Sequence, residues 1–168
     1  MLKIFDEKFS CNKIRYIIQC LLATLSVFLV LLVLDVITDT AVVAALGASS
    51  FIAFTMPEAR ASQPRFLVGG YLIGIIVGTA CCFLSSSSLL SLIPVIQQYN
   101  QVIFGALAVG LAIFLMVVTN SEHPPAAAVA LGLAINSFNL WVVIVALVGI
   151  ILISTIKTII KPLLINLL

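Results

Sequence analysis

Four stretches of this chain, residues 16–34, 66–84, 101–119 and 138–156, each run for 19 residues without a charged side chain. A helix needs about 20 such residues to cross a hydrocarbon core about 30 Å thick. Lipid offers the backbone no water to bond, so stretches of this kind must fold as helices. Each is apolar on every face, as contact with lipid requires. Composition agrees: 63% of the residues are apolar and 8% are charged, whereas a soluble domain carries about a quarter charged. The sequence predicts an all-α membrane protein.

Two further apolar stretches, Thr40–Thr55 and Pro124–Ile135, are shorter, richer in Ala, Gly and Ser, and entered through polar residues. Charge placement separates crossing from re-entrance, because Lys and Arg collect in cytoplasmic loops. If both short stretches cross, all 8 Lys and Arg fall on one side; if both turn back, Arg60 and Arg65 move to the other. The first split is the sharper, and it predicts six helical segments, four long and two short, with both termini cytoplasmic in a bacterial inner membrane. Residues 1–15 then form a cytoplasmic segment and 16–168 a single transmembrane domain, the first span being too long for a cleaved signal. Ser85–Ser88 and Pro94–Asn100 read as an outer loop, while Tyr16, Tyr99, Phe138 and Trp141 fall near span ends, where aromatic rings favour the headgroup level.

A shift of 85 residues lays 16–34 on 101–119, and Ala41, Ala45, Leu46 and Gly47 on Ala126, Ala130, Leu131 and Gly132. Each half, 16–84 and 101–160, then reads long, short, long. An odd number of crossings per half makes a 3+3 inverted repeat, and in such folds short segments at matching positions point to a binding site. The N-terminal ends of those two segments carry partial positive charge and unpaired N–H groups that suit an anion. They are expected to converge from opposite sides.

The chemistry gathers at the two entrances. Asn120, Ser121, Glu122, His123, Pro124 and Pro125 lead into the second short segment. Proline lacks an N–H and fixes φ, so the pair is tolerated in the first turn of a helix and holds His123 at its mouth. This is the single histidine of the chain, and an ionisable group at a buried helix entrance is a functional candidate; it is suited to donating a hydrogen bond to an anion or to carrying a proton. Glu122 stands beside it to orient or charge-compensate the ring, and a capping role for His123 is the plain alternative. At the other entrance stand Asp35, Thr38, Asp39 and Thr40, with Asp39 or Thr40 as N-cap. Gly47, Ser49 and Ser50 lie inside the first short segment, where they serve close packing or offer hydroxyls to a ligand. Gly70, Gly74 and Gly78 recur every four residues as a packing stripe, internal or between copies in a homo-oligomer.

Several classes are excluded. A net charge of +2 with no basic run gives nothing to hold nucleic acid. Cys11, Cys20, Cys81 and Cys82 form no C-x-x-C pair, so no metal or cofactor is expected. There is no H-E-x-x-H. Gly47-x-Ser49 with one His is the minimum for a serine hydrolase dyad, but Ser49 lies deep in an apolar segment without an oxyanion loop, and an enzyme is not expected.

Three motifs in order, Gly47-Ala48-Ser49, Gln63-Pro64-Arg65 followed by Gly69-Gly70, and His123-Pro124-Pro125, resemble the HPP family of integral membrane proteins. The resemblance covers nearly the whole chain. It implies a transporter, with nitrite movement across plastid or bacterial membranes as the activity and Arg65 among the residues near the path. Family descriptions often count four spans, and members often carry Gly where this chain has Ala127 and His where it has Tyr71. The expected function is passage of a small monovalent anion such as nitrite. The alternatives are an intramembrane serine hydrolase and a non-transporting scaffold subunit.

Overall fold

The computed structural model describes residues 14–15, 17–25, 40–87 and 94–167. Asp35, Thr38, Asp39, Cys11 and the second half of the first apolar stretch lie outside the described residues. Among those described, every regular element is helical: α1 (residues 17–25), α2 (Thr40–Thr55), α3 (Pro64–Ser85), α4 (Pro94–Gln98), α5 (Asn100–Val118), α6 (Pro124–Ile135) and α7 (Leu140–Ile160), with 3-10 turns at Arg60–Ser62 and Lys161–Leu163. Three of these are long and apolar enough to cross a membrane: Pro64–Ser85, Asn100–Val118 and Leu140–Leu163. The two short stretches fold as helices over the bounds their composition marks. Pro94 starts a short helix where an irregular loop is expected, because proline is pre-set for a first helical position.

Local signals set the helix ends. Pro64 opens α3 and Pro124 opens α6, each supplying a φ already suited to a helix and no N–H to leave unpaired. Asn139 caps α7 by accepting a hydrogen bond from Trp141 N (2.9 Å), as short polar side chains do at an N-cap. At the end of α5, Asn120 takes a φ of 52°. Asn120 N then donates to Val117 O (3.2 Å) and Ser121 N to Met116 O (2.9 Å). That pairing is a Schellman closure, which needs a left-handed residue, and Asn tolerates that conformation.

Neighbouring ends fix the directions. Arg65 at the start of α3 donates to Thr119 O at the end of α5 (3.5 Å), and Asn100 Nδ2 donates to Ser85 O at the end of α3 (3.0 Å), so α3 and α5 are antiparallel. Gln101 Nε2 donates to Ile135 O at the end of α6 (3.1 Å), which makes α6 antiparallel to α5. Thr40 and Ala41, opening α2, line a cavity with Ile135, Asn136 and Val142, and Leu167 N beyond α7 donates to Thr55 O (2.9 Å). Thus α2 runs parallel to α7 and antiparallel to α6. The two short helices therefore start at opposite ends of the bundle.

The short helices are also the inner ones. α6 lies against α2, α3 and α5, and α7 closes the bundle over α2 and α3. α6 buries Pro125, Ala126, Val129, Ala130, Gly132, Leu133 and Ala134, over half its length. α5, by contrast, buries one stripe of Phe104, Gly105, Ala108, Ala112 and Met116 and turns Leu107, Leu111, Phe114 and Val117 outward, as a lipid-facing helix must. The glycine stripe is internal. A Cβ on Gly70 would stand 2.6 Å from His123 Cβ, one on Gly74 would collide with the carbonyl of Ala126, and one on Gly78 would stand 2.6 Å from Ala130 O. With no side chains in the way, α3 and α6 meet backbone to backbone. At the same end, Gln19 of α1 donates to Phe54 O and to Ile165 O (2.7 Å) and accepts from Ile165 N (3.2 Å), which ties α1, α2 and the C-terminal segment together.

Candidate functional site

The connection Thr119–His123 is folded tightly. Ser121 Oγ pairs with Thr119 Oγ1 (2.8 Å), and an Arg60 Nη2 hydrogen bond to Asn120 Oδ1 clamps the turn from outside. Asn120 and Ser121 therefore build the turn. His123 follows in extended conformation, φ −138° and ψ 95°, as a residue before proline must. That conformation turns its side chain inward, over Gly70. The side chain is fully buried, at 0% exposure.

Inside the bundle the ring is held at both nitrogens. Nε2 lies 2.8 Å from Ser49 Oγ, in the middle of α2, and Nδ1 lies 3.0 Å from Ala61 O. Ser49 Oγ also lies 2.8 Å from Ala45 O and 2.9 Å from the hydroxyl of Tyr71 on α3. Ser49 and Tyr71 are as fully buried as His123, and the Tyr71 and His123 rings pack with centroids 5.8 Å apart. The turn that presents Ala61 O is pinned by buried Ser62, whose hydroxyl lies 2.8 Å from Pro57 O and 2.8 Å from Ala59 O.

Donor bookkeeping fixes the proton positions. A carbonyl only accepts, so Nδ1 carries the ring hydrogen and donates it to Ala61 O. In the neutral ring Nε2 is then an acceptor, and the Ser49 hydroxyl donates to it. Tyr71 O–H donates in turn to Ser49 Oγ. The result is one directed chain, Tyr71 to Ser49 to His123 to Ala61.

Beside the ring lies a cavity of about 270 Å³ lined by Ile113, Met116, Val117, Glu122, His123, Pro124 and Ala127. Glu122 is the carboxylate of that lining and is half-buried. All described basic residues gather at this end: Arg60 and Arg65 beside the turn, Lys157 and Lys161 at the end of α7, and Arg15 next to the C-terminal segment. Lys157 is 2% exposed.

Of the residues singled out from sequence, the structure unites His123, Ser49, Glu122, Pro124 and Pro125, with Ser121, Asn120 and Arg65 in the supporting turn. It does not bring Thr40 to them. Thr40 opens α2 at the opposite end, in a cavity of about 390 Å³ with Asn136, Ser137 and Asn139. The two helix entrances therefore stand at opposite ends of the bundle and do not converge. Gly47 faces open space, and Ser50 spends its hydroxyl on Leu46 O (2.9 Å). Asp39 lies outside the described residues. The entrance to α6 is also no cradle of free N–H groups: two of the first positions are prolines, and Ala126 N is bonded to His123 O (2.9 Å). The residue that sequence reasoning missed is Tyr71. Its signal was a phenol inside a glycine stripe, next to Gly70.

Among described residues no group of His, Cys, Asp and Glu is placed to hold a metal. Cys20 is exposed, Cys81 and Cys82 are buried, and all three are free thiols.

The sequence model of the family described as HPP, transmembrane region, matches residues 10–166. A transmembrane protein of Dictyostelium discoideum is 38% identical over 85 residues, a match that covers 51% of this chain and 27% of that protein. The chain thus aligns with about a quarter of that relative's length. No solved structure matches.

Proposed function

Because the chain belongs to the HPP transmembrane family, we propose that it is a transporter or channel that carries a small monovalent anion, nitrite first among candidates, past the His123 site. The observation that carries this reading is the placement of the chain's single imidazole. It is buried in a four-membered hydrogen-bonded chain where the start of α6 lies on the glycine face of α3 and Ser49 reaches it from α2. Polar networks in the interior of a membrane bundle are costly and mark pathways. Cavities flank the short helices at both ends, and clustered Arg and Lys at the His123 end raise the local concentration of anions.

The same reading takes the His123 end as cytoplasmic, by its basic residues, with six crossings and an inverted repeat. Antiparallel α2 and α6 at the centre support the repeat. Cysteine placed near Arg60 should then be labelled from the cytoplasmic side. The decisive assay is nitrite flux into proteoliposomes: uptake by the wild-type protein that falls at least tenfold in His123→Ala is expected, and absence of uptake by the wild type refutes the reading.

One observation favours a second reading. Ser49 Oγ at 2.8 Å from His123 Nε2, with Nδ1 held by a carbonyl, has the geometry of a Ser-His dyad. Against hydrolysis stand the complete burial of both side chains and the prolines that strip N–H donors from the adjacent helix entrance, where an oxyanion would need them. Covalent labelling of Ser49 by a fluorophosphonate would establish this reading in place of the first. A scaffold role loses its sequence argument, since the glycine stripe is spent inside the bundle.

A further inference from the structure

The Ser49 hydroxyl has one hydrogen and two acceptors in reach, His123 Nε2 at 2.8 Å and Ala45 O at 2.8 Å. It satisfies only one at a time. With the ring neutral, the hydroxyl must point at Nε2, because otherwise two lone pairs would face each other across 2.8 Å. With the ring protonated, Nε2–H becomes a donor and Ser49 Oγ must accept it, so the hydroxyl turns to Ala45 O. The Tyr71 hydroxyl, 2.9 Å away, donates to Ser49 Oγ in both arrangements. Each state is fully paired, and no heavy atom has to move between them.

We propose that the Ser49 hydroxyl is a two-position switch that lets His123 take up a proton together with the transported anion, which makes the protein a proton–anion symporter. This rests on the transport reading and adds its coupling. In the step, one proton from the aqueous phase ends on Nε2, the Ser49 O–H bond stays intact and rotates from Nε2 to Ala45 O, and the anion balances the new positive charge.

The surroundings say why the two ligands go together. α5 brings no titratable side chain to the site, and α2 brings Ser49. α3 brings Tyr71 and, at its first turn, Arg65, which is directed at Thr119 O. From the Arg60–Ser62 turn, Arg60 is directed at Asn120. Glu122, in the same connection as His123, lines the adjacent cavity. α7 packs on α2 and α3 and carries Lys157 and Lys161 near its end. None of these charged side chains bonds the ring, whose partners are Ser49 and Ala61 O, and removal from water disfavours its charged form. An imidazolium forms readily there only when an anion arrives. Linkage then requires each ligand to tighten the binding of the other by the same factor.

Since the chain has one histidine, ¹⁵N-histidine NMR of the full protein in lipid reports this ring alone. At neutral pH the hydrogen should reside on Nδ1. Added sodium nitrite should raise the ring's apparent pKa by at least one unit. Ser49→Ala, which leaves the cation no acceptor at Nε2, should abolish that rise, while Ser49→Thr should keep it. A ring carrying its hydrogen on Nε2, or a nitrite-induced rise unchanged in Ser49→Ala, overturns the switch. Flux is scored separately in proteoliposomes with and without a pH gradient. Flux without any nitrite effect on the ring overturns the coupling and leaves the transport reading standing. A nitrite-dependent ring with no flux removes transport and leaves the switch. Gradient-driven uptake that Ser49→Thr retains and Ser49→Ala loses supports both.

Discussion

Gly78→Ala is the most direct test of how the site is held. The added Cβ would stand 2.6 Å from Ala130 O, 2.9 Å from Ala130 Cα and 2.9 Å from Leu133 Cβ. Comfortable contact needs about 3.5 Å, and two of these neighbours are backbone atoms that no rotamer change can move. The helices must part by about 0.9 Å, the shortfall from that contact distance. Overpacking of this kind costs about 1–3 kcal/mol, set against about 1 kcal/mol that alanine gains over glycine in a helix. A net loss of up to about 2 kcal/mol is expected from those two effects, and a deficit of about 1–3 kcal/mol against an alanine placed in open space. Gly110→Ala is the control, since nothing lies within 4 Å of its added methyl and propensity alone should act. Thermal melts in detergent, followed by circular dichroism, should lower the midpoint for Gly78→Ala and leave or raise it for Gly110→Ala. Equal stability of Gly78→Ala and Gly110→Ala would refute backbone-to-backbone packing of α3 on α6.

Two further outcomes follow from the turn and the ring. Asn120→Gly should fold as well as wild type because glycine adopts the 52° φ freely, whereas Asn120→Val should lose about 1–3 kcal/mol to left-handed strain, read from the same melts. His123→Phe, which removes the ring's bonds to Ser49 and to Ala61 O, should lose about 1–3 kcal/mol in the same melts, and an unchanged midpoint would show that these bonds do not hold the site.

What was legible in the sequence was whatever periodicity and punctuation encode. Thr40–Thr55 and Pro124–Ile135 emerge with the bounds composition gives them, because polar residues or proline stop an apolar run abruptly in lipid. His123 stood out because it is alone. Ser49 was visible only as one of several small residues in α2, since nothing local distinguishes it from Ser50, whose hydroxyl turns back on its own helix. The difference is made by which face of α2 meets α6. Tyr71 was hidden for the same reason: its role depends on Gly70 opening a space across which an imidazole reaches α2. The expected convergence of the two entrances failed because antiparallel neighbours put their N-termini at opposite ends, a consequence already implicit in an inverted repeat whose halves pack centre to centre.

The shortness of α6 links these observations. Its 12 residues span about 18 Å, whereas the 19 of α5 span about 28 Å. The difference is made up by non-helical segments at each end, Thr119–His123 and Asn136–Asn139. Irregular backbone at membrane depth survives only where protein surrounds and pairs it, and here Met116 O, Val117 O, Ala61 O and the Arg60 side chain do that pairing. A full-length helix would have carried residue 123 at the surface of the bundle; a short one opened by two prolines and preceded by a tight turn sets it inside, level with the middle of α2. The prolines also deny backbone N–H groups to any arriving anion. Recognition at this entrance therefore falls to side chains, and the imidazole that Ser49 and Tyr71 hold is the one placed to provide it.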